Sequence, residues 1–576
     1  MSPFVPPEHD ARRIPSSAAC AAGTLSSVTL SMSIENEKIS TPAAAVLETT
    51  SDVGAEAPNV NTLHRSLKSR HVQMIAIGGV IGTGLFIGTA TNLQNAGPAG
   101  LLISYCLMAT LLYSVMVALG EMISAFPIPG AQLALASRFL APEVGFAIGW
   151  LYWYCYIVLL PAEISAAAVL ITYWTPTDGT CAPGLCNSAV WVTVMLVVVI
   201  LANIVGSTRV FGEIEFWAAS IKVLTIIGLI IISIVITSGG GPNHQPIGFK
   251  YWVETGGFVQ YKGIPGAWGR FLGFFAVLIS AAFAFIGTEI TAVAAAEAGS
   301  PAKTVPRAIK SVWLRLALFY ISSAFLIGLL VSPSHPDLNL GSTAAKSPFV
   351  IAIKGAGIKV LPAIINAALL SSAWSAAIAD LYISSRTLYG LYARGATPRQ
   401  AHWLGKTRKD GVPWVCVTVC AAFTPLAYFA ASPSASAGQA FGYFASMCAV
   451  CGMLSWSVIL LTSLRWHRGL KARGIDRSTL PYRAPLQPYL SYYGLGVSII
   501  VIVFSGFTAF IHKFDTSAFI TTYFGIPFFA VLLLGYKFWH KSGLVRYEDM
   551  DFTTGFSGTD DMDGDERKGW LARIGV

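Results

Sequence analysis

Two ionisable residues lie deep inside apolar stretches of the chain, where a charge is costly and often marks a functional site. Glu163 follows Pro161 in one stretch, and Lys222 lies in another. Because an unpaired carboxylate is unfavourable there, Glu163 could carry a proton or pair with a cationic amine. It could also be a neutral carboxyl bonded to backbone that the proline frees. Lys222 could extend its stem to the membrane interface, or change its charge if desolvated.

A glycine-rich segment is the second candidate for chemistry. Residues 78–88 contain five glycines in eleven positions, in the middle of an apolar stretch. Each glycine weakens a helix by about 1 kcal/mol, so this segment is expected to unwind. Freed N–H groups and the positive end of the following half-helix could then hold a carboxylate. The alternative is close helix packing, because Gly78, Gly82, Gly84 and Gly88 form two small-xxx-small pairs. A nucleotide loop is disfavoured, since no strand precedes the segment.

The remaining polar residues give weaker signals. Glu289 could bond opened backbone or relay a proton, and a structural role is an equal alternative. Ser375 could line a pocket or pack between helices. No histidine falls inside a predicted span, so neither an intramembrane metal site nor an enzyme active site is expected. Five acidic residues near predicted cytosolic span ends are expected to be helix caps or gate salt bridges: Glu121, Glu213, Glu215, Glu297 and Asp380.

These residues must be positioned by helices that cross a membrane. The 576 residues are 54% hydrophobic and 12% charged, and the mean hydropathy is +0.62. Only helices satisfy all backbone groups in lipid, and about 20 residues span the hydrocarbon. Twelve spans are predicted, with a disordered tail at 1–70 and an acidic tail at 541–576. The predicted spans are 72–95, 99–125, 143–173, 189–206, 215–237, 271–296, 312–332, 360–385, 413–431, 440–464, 491–511 and 518–538.

The net charge of +9 follows membrane topology and does not indicate nucleic acid binding. Lys and Arg are concentrated in one set of loops, near 65–70, 303–310, 394–409 and 465–483, which predicts that both termini are cytosolic. Among the nine cysteines, Cys181 and Cys186 share a polar loop on the opposite side, where a disulfide could form.

Several motifs together resemble one family. The segment 70–86 resembles the opening of the fungal (yeast-type) amino acid permeases, which belong to the amino acid–polyamine–organocation superfamily. Further matching segments are 97–100, 120–127, 161–163, 212–217, 285–289, 384–389 and 480–483. The resemblance extends from about 65 to 555. It implies an all-α membrane fold of two inverted five-helix repeats, with broken helices 1 and 6, plus two extra helices.

The same resemblance implies a site at the two breaks. The substrate carboxylate would contact the amides of Ile81, Gly82, Thr83 and Gly84. The substrate amine would face the carbonyls of Phe283, Ala284 and Ile286 at the negative end of a half-helix. Phe283 or Phe285 could act as a thin gate. The sixth span shows only a weak sign of a break, Gly287, which its residues alone would not predict.

The resemblance also bears on coupling. Proton-coupled members of the superfamily have a lysine on the fifth span where sodium symporters bind their ion, and Lys222 is similar. Lys222, Glu163 and Glu289 are therefore the expected proton-coupling residues, with the proton as coupling ion and no cofactor.

These expectations amount to proton-coupled amino acid import across the plasma membrane by alternating access. Neutral substrates over a broad range are expected first, then proline, then basic amino acids. A non-transporting sensor on the same fold, or exchange in place of symport, remains an alternative. Expected partners are amino acids, the lipid bilayer and, through the tails, trafficking or ubiquitin machinery.

Overall fold

The computed structural model describes residues 82–128, 130–171, 173–174, 187–206, 208–290, 301–338, 347–431 and 437–556. All regular elements in these ranges are helical, which confirms the predicted all-α class. The α-helices are α1 (Thr89–Ala125), α2 (Ala131–Phe139), α3 (Pro142–Ile171), α4 (Ser188–Val205), α5 (Thr208–Thr237), α6 (Lys250–Thr255), α7 (Gly266–Phe285), α8 (Pro301–Arg315), α9 (Ser322–Leu330), α10 (Pro348–Gly355), α11 (Leu361–Ala393), α12 (Trp414–Ala421), α13 (Ala437–Ala472), α14 (Tyr489–Phe504), α15 (Thr516–Tyr523) and α16 (Gly525–His540).

Short helical turns of other types extend several of these helices. Two π-helical turns, Gly84–Gly88 and Leu316–Ile321, lead into α1 and α9. The 3₁₀ turns are Tyr261–Gly263, Pro336–Leu338, Arg399–Gly405, Thr424–Ala431, Arg477–Thr479 and Ser505–Phe510.

The described chain holds ten helical segments that are long and apolar enough to cross a membrane, and the bent pair α15–α16 adds an eleventh. The first segment, Gly84–Ala125, has 42 residues. Its helical length of about 63 Å is twice the thickness of the hydrocarbon, so it must pass twice. Counting that segment as two passes gives the twelve spans that the sequence predicts.

The turn between these two passes depends on Gly97. Its backbone has φ 74° and ψ 177°, which interrupts the helix. An added Cβ would lie 3.0 Å from the backbone of Gly257, Phe258 and Val259, so only glycine fits. The N–H of Ala99 donates to the carbonyl of Gly257 at 2.8 Å, which fixes the loop before α7 against this corner.

Burial separates the central helices from those at the lipid surface. In α3, 94% of the 18-residue apolar stretch is buried in the protein. The helix packs along α11 and α13. In α4 and α5 the corresponding shares are 28% and 33%, as expected for helices with one face in lipid. Because α3 is enclosed on all sides, Glu163 on this helix has no access to lipid.

Three helices extend further than the predicted spans. The helix α5 begins at Thr208 instead of 215, α11 continues to Ala393 instead of 385, and α13 continues to Ala472 instead of 464. Each extension contains Glu, Arg or His residues. The predicted spans end at these residues because charged side chains are unfavourable in lipid.

The beginning of the expected acidic tail packs against the protein. Met550, Phe552 and Phe556 are buried, and the N–H of Val545 donates to the carbonyl of Leu140 at 3.0 Å. These three apolar side chains allow the segment to pack against the protein. Up to residue 556 it therefore does not form the solvated tail that was expected. The predicted tail at 1–70, and the acidic residues beyond 556, lie outside the described residues.

Candidate functional site

The start of the first described helix and the break in the sixth span meet at one cavity of about 520 Å³, part of which is open to solvent. Its lining includes residues from the first and sixth spans and from α3 and α11, with two carboxyl groups among them. The cavity is lined by Gly82, Gly84, Tyr156, Leu159, Glu163, Phe283, Ala284, Ile286, Gly287, Ile290, Ala376, Ala379, Asp380 and Ile383.

The first span enters the cavity at Gly82. This residue is not helical, and the helix begins at Thr83 and continues through the π-helical turn into α1. The first N–H groups of a helix lack intrahelical partners and carry the positive end of its dipole. Ile81, which is expected to contribute another amide, lies outside the described residues.

Two glycines at this helix start lie close to neighbouring spans. A Cβ on Gly84 would lie 2.9 Å from the Cα of Ala284, where the first and sixth spans touch. A Cβ on Gly82 would lie 3.2 Å from Oε1 of Glu163. The two interpretations of the glycine segment therefore hold at different positions: Gly84 permits close packing, and Gly82 leaves room at the cavity.

The sixth span is broken where the sequence signal is weakest. The helix α7 ends at Phe285, Ile286 has ψ 142°, and Gly287 has φ 89°. The Phe283 carbonyl accepts from the N–H of Ile286 at 3.2 Å, so the turn itself occupies one of the three carbonyls expected to face an amine. The negative end of α7 still faces the cavity at Ala284 and Ile286.

Phe285 does not line the cavity. Its ring is fully buried and packs against Tyr105 and Tyr320, with ring centroids 5.9 and 4.6 Å apart. Core packing therefore describes Phe285 better than a gate does. Phe283 lines the cavity and meets Phe441 edge to face at 5.6 Å, so the gate hypothesis applies to Phe283 alone.

Glu163 connects α3 to the start of the first helix. Its Oε1 accepts a hydrogen bond from the Thr83 hydroxyl at 3.1 Å, and its Oε2 has no partner among the described residues. The side chain is only 4% exposed. The carboxyl therefore reaches across to the first span and is not bonded to backbone beside Pro161. One oxygen remains available at the cavity.

Asp380 also lines the cavity, which corrects its expected position near a cytosolic end. The side chain is 5% exposed, and its Oδ2 has no hydrogen-bond partner in the described structure. The error came from ending the eighth span at 385. Gly395, with φ 66° just after α11, is the stop signal that would have extended the helix and placed Asp380 deeper.

Lys222 forms a buried pair with Glu215 on the same helix. The Nζ of Lys222 lies 3.7 Å from Oε1 of Glu215, and both side chains are at most 1% exposed. Oε2 of Glu215 accepts from the Ser375 hydroxyl at 2.6 Å. This burial excludes extension of Lys222 to the interface. Glu215, which was expected near the end of a span, is therefore buried within α5. Ser375, which was expected to line a pocket or pack between helices, contacts Glu215 and is not among the residues that line the cavity.

Glu289 contacts α13 and the turn of its own span. Its Oε2 accepts from the indole N–H of Trp456 at 3.4 Å, and its carboxyl also contacts the backbone of Gly287. These contacts agree with the structural role that was the equal alternative for Glu289, and the backbone of the first span before Gly82 lies outside the described residues.

Glu121, which was expected at a cytosolic span end, lies in a cluster of charged side chains. Glu121 is fully buried, and its Oε1 accepts from two N–H groups of Arg477 at 3.0 and 2.6 Å. His467 lies 3.3 Å from its other oxygen. Glu121 thus belongs to a salt-bridge cluster, as expected for this group. Glu297, Cys181 and Cys186 lie outside the described residues, and no potential metal-binding group of His, Cys, Asp and Glu occurs within the described ranges.

Comparisons with known proteins agree with this architecture. A sequence model of the amino acid permeases matches residues 71–548. The chain is 40% identical to the dicarboxylic amino acid permease of Saccharomyces cerevisiae over 85% of this chain and 80% of that protein. It is 38% identical to the proline-specific permease of Emericella nidulans over 88% and 92% of the two chains. It is 40% identical to the lysine-specific permease of Saccharomyces cerevisiae over 84% and 78%.

A solved manganese transporter from Eremococcus coleocola superposes with a TM-score of 0.48 at 14% identity, over 82% of this chain and 93% of that chain. The family rests on the sequence matches, which cover most of the chain at about 40% identity. The chain belongs to the amino acid permease family and is a multi-pass membrane protein.

Proposed function

We propose that this permease imports amino acids with protons across the plasma membrane by alternating access. The observation that carries the proposal is the meeting of a helix start after Gly82 and a broken sixth span at one cavity beside Glu163. A helix start and a helix end present partial charges of opposite sign, which suit the two ends of a zwitterion.

The backbone of the substrate would be held at the two breaks. Its carboxylate would accept from the N–H groups at Gly82, Thr83 and Gly84. Its ammonium would pair with the free oxygen of Glu163 and with carbonyls at the end of α7. These contacts would suit any α-amino acid, because they involve only the carboxylate and the ammonium and not the side chain.

Neutral side chains are proposed first because most of the cavity wall is apolar. Leu159, Ile290 and Ile383 line it, together with Ala376 and Ala379. Basic amino acids are the second candidate, because Glu163 and Asp380 both place carboxyls at the cavity. The named specificities of the relatives, dicarboxylic, proline and lysine, occur at almost equal identity and favour none of these classes.

Proton coupling is supported by a fixed cation. Lys222 is held by Glu215 inside α5, where an ammonium would take the place of a coupling sodium ion. The proposed orientation places both termini in the cytosol, because Lys and Arg are concentrated in the loops on the same side of the membrane as the termini. We further propose that the tails contact trafficking or ubiquitin machinery and that no cofactor takes part.

An uptake panel tests the proposal. Labelled amino acids would be supplied to permease-deficient yeast cells that express the chain, at pH 5 and pH 7, with and without sodium. We expect accumulation of neutral amino acids that is faster at pH 5 and independent of sodium. Binding without accumulation would favour a sensor, a sodium requirement would contradict the coupling, and uptake restricted to lysine and arginine would favour the second substrate class.

A further inference from the structure

The cavity and its surroundings contain more carboxyls than cations. Glu163 and Asp380 line the cavity, and Glu215 and Lys222 lie beside it in α5. Asp380 is close enough to interact electrostatically with the other three. If all four groups were ionised, the cluster would hold three negative charges and one positive charge. Two uncompensated charges in a buried site are costly, so the cluster must take up protons or a cationic ligand.

The ion-pair and hydrogen-bond partners show which carboxyl groups already have their negative charge compensated. Glu215 has both Lys222 and the Ser375 hydroxyl. Glu163 has the Thr83 hydroxyl, and in the proposed loaded state it also gains the substrate ammonium. Asp380 has an unpartnered Oδ2, and the other residues of its helix that line the cavity, Ala376, Ala379 and Ile383, are apolar. Asp380 is therefore the carboxyl whose charge is least stabilised.

We infer that Asp380 is the residue that carries the co-transported proton. This inference rests on the proposed function and identifies where its proton resides. With the cavity open to the outside, a proton from water forms an O–H bond on the Asp380 carboxylate. The loaded site is then balanced: Lys222 with Glu215, Glu163 with the substrate ammonium, and a neutral Asp380. With the cavity open to the cytosol, the same proton returns to water.

Other titratable groups near Asp380 do not replace it. Cys155 on α3 and Cys448 on α13 lie within its electrostatic range, but each thiol contacts the other residue's carbonyl, Cys155 at 3.7 Å and Cys448 at 3.5 Å. From α12, Cys416 contacts the carbonyl of Leu404 and Cys420 contacts Ser384, beyond Asp380 along α11. Among the described residues, Asp380 is thus the titratable group that lines the cavity without a partner.

Purified protein in liposomes separates the inference from the proposed function. One proton per substrate gives about tenfold accumulation for each pH unit of gradient. Wild-type protein is expected to show this accumulation and a matching proton influx, measured with an internal pH dye. If wild-type protein shows neither, the proposed function itself fails, whatever the variants do.

Asp380→Asn tests the inference when the wild type is coupled. Asn mimics the protonated carboxyl, so counterflow at equal pH should continue, while the tenfold accumulation and the proton influx are lost. Asp380→Glu, which keeps a titratable group, should restore proton influx. Proton influx at the wild-type ratio in Asp380→Asn would overturn the inference. Loss of counterflow together with accumulation, in protein that remains monodisperse, would also overturn it, because Asp380 would then hold substrate. If Asp380→Asn does not fold, Asp380→Ser is measured against the same outcomes.

Discussion

Buried carboxyls occur in two regions of this permease, and their partners differ. Near the C-terminal ends of α1 and α13, Glu121 accepts two hydrogen bonds from Arg477 and lies 3.3 Å from His467. At the cavity, Glu163 has one hydroxyl partner and Asp380 has an unpartnered oxygen. Arg477 compensates the charge of Glu121, whereas neither cavity carboxyl has an ion-pair partner among the described residues, which leaves capacity for a ligand or a proton. Burial alone therefore does not distinguish structural from transporting carboxyls, and the partners do.

The largest effect is expected for Gly82→Val, because the added side chain occupies space at the cavity. A Cβ at this position lies 3.2 Å from Oε1 of Glu163, and the two further methyl groups occupy the space proposed for the substrate carboxylate. Uptake should be lost while the protein still reaches the cell surface. Gly228→Val in α5 is the matched control, because a Cβ there has nothing within 4 Å. Normal uptake affinity in Gly82→Val would remove the carboxylate site from this position.

Lys222→Ala is expected to abolish accumulation driven by a pH gradient. It leaves Glu215 buried without its cation, so the charge balance of the cluster changes by one unit. The experiment compares accumulation at two external pH values in cells with equal surface expression. Unchanged accumulation would exclude Lys222 from coupling.

The same substitution at Glu163 and Glu121 tests the comparison directly. Glu163→Gln removes the proposed charge partner of the substrate ammonium, which is worth about 1.5–3 kcal/mol, so KM should rise about 10- to 100-fold. Thermal stability in detergent should change little. A flat pH profile with unchanged KM would instead assign the proton to Glu163.

Glu121→Gln should show the opposite pattern. It removes the charge that holds Arg477 and His467, and breaking such a buried pair costs about 3 kcal/mol of stability. We expect a lower melting temperature in detergent, with KM of the surviving protein unchanged. A raised KM at wild-type stability would show that the two regions do not differ in the way proposed.

The smallest effect is expected at the packed C-terminal segment. Partial burial alone would raise the pKa of Asp551, but hydrogen bonds from Thr554 and Thr553 and the charge of Arg138 outweigh it and hold the pKa well below its usual range. The stabilisation is present above the unfolded pKa of about 3.9 and is lost as the pH falls below it. Because the carboxylate is partly exposed, Asp551→Asn should cost about 1 kcal/mol or less. Limited proteolysis at pH 7 should cleave this segment faster than in wild type, and equal rates would contradict the contact.

The sequence predicts the membrane fold well because apolar length is a direct consequence of lipid thickness. The all-α class is confirmed, and the ten or eleven candidate spans of the described residues agree with twelve when the first segment is counted as two passes. Gly82, Glu163 and Lys222 were all singled out from the cost of glycine or charge in a span. The depth of Asp380 and Glu215 was wrong, because charged residues near span ends were taken as the ends themselves. The turn at Ile286 and Gly287 depends on tertiary contacts that one glycine does not reveal.

The most direct test of the account is a density map of the permease with a bound neutral amino acid. We predict non-helical backbone at Gly82 and at Ile286–Gly287, with the ligand carboxylate within hydrogen-bond distance of the N–H groups at Gly82–Gly84 and the ammonium beside Glu163. An uninterrupted helix from residue 76 to 90, or an amino acid bound away from both breaks, would contradict it.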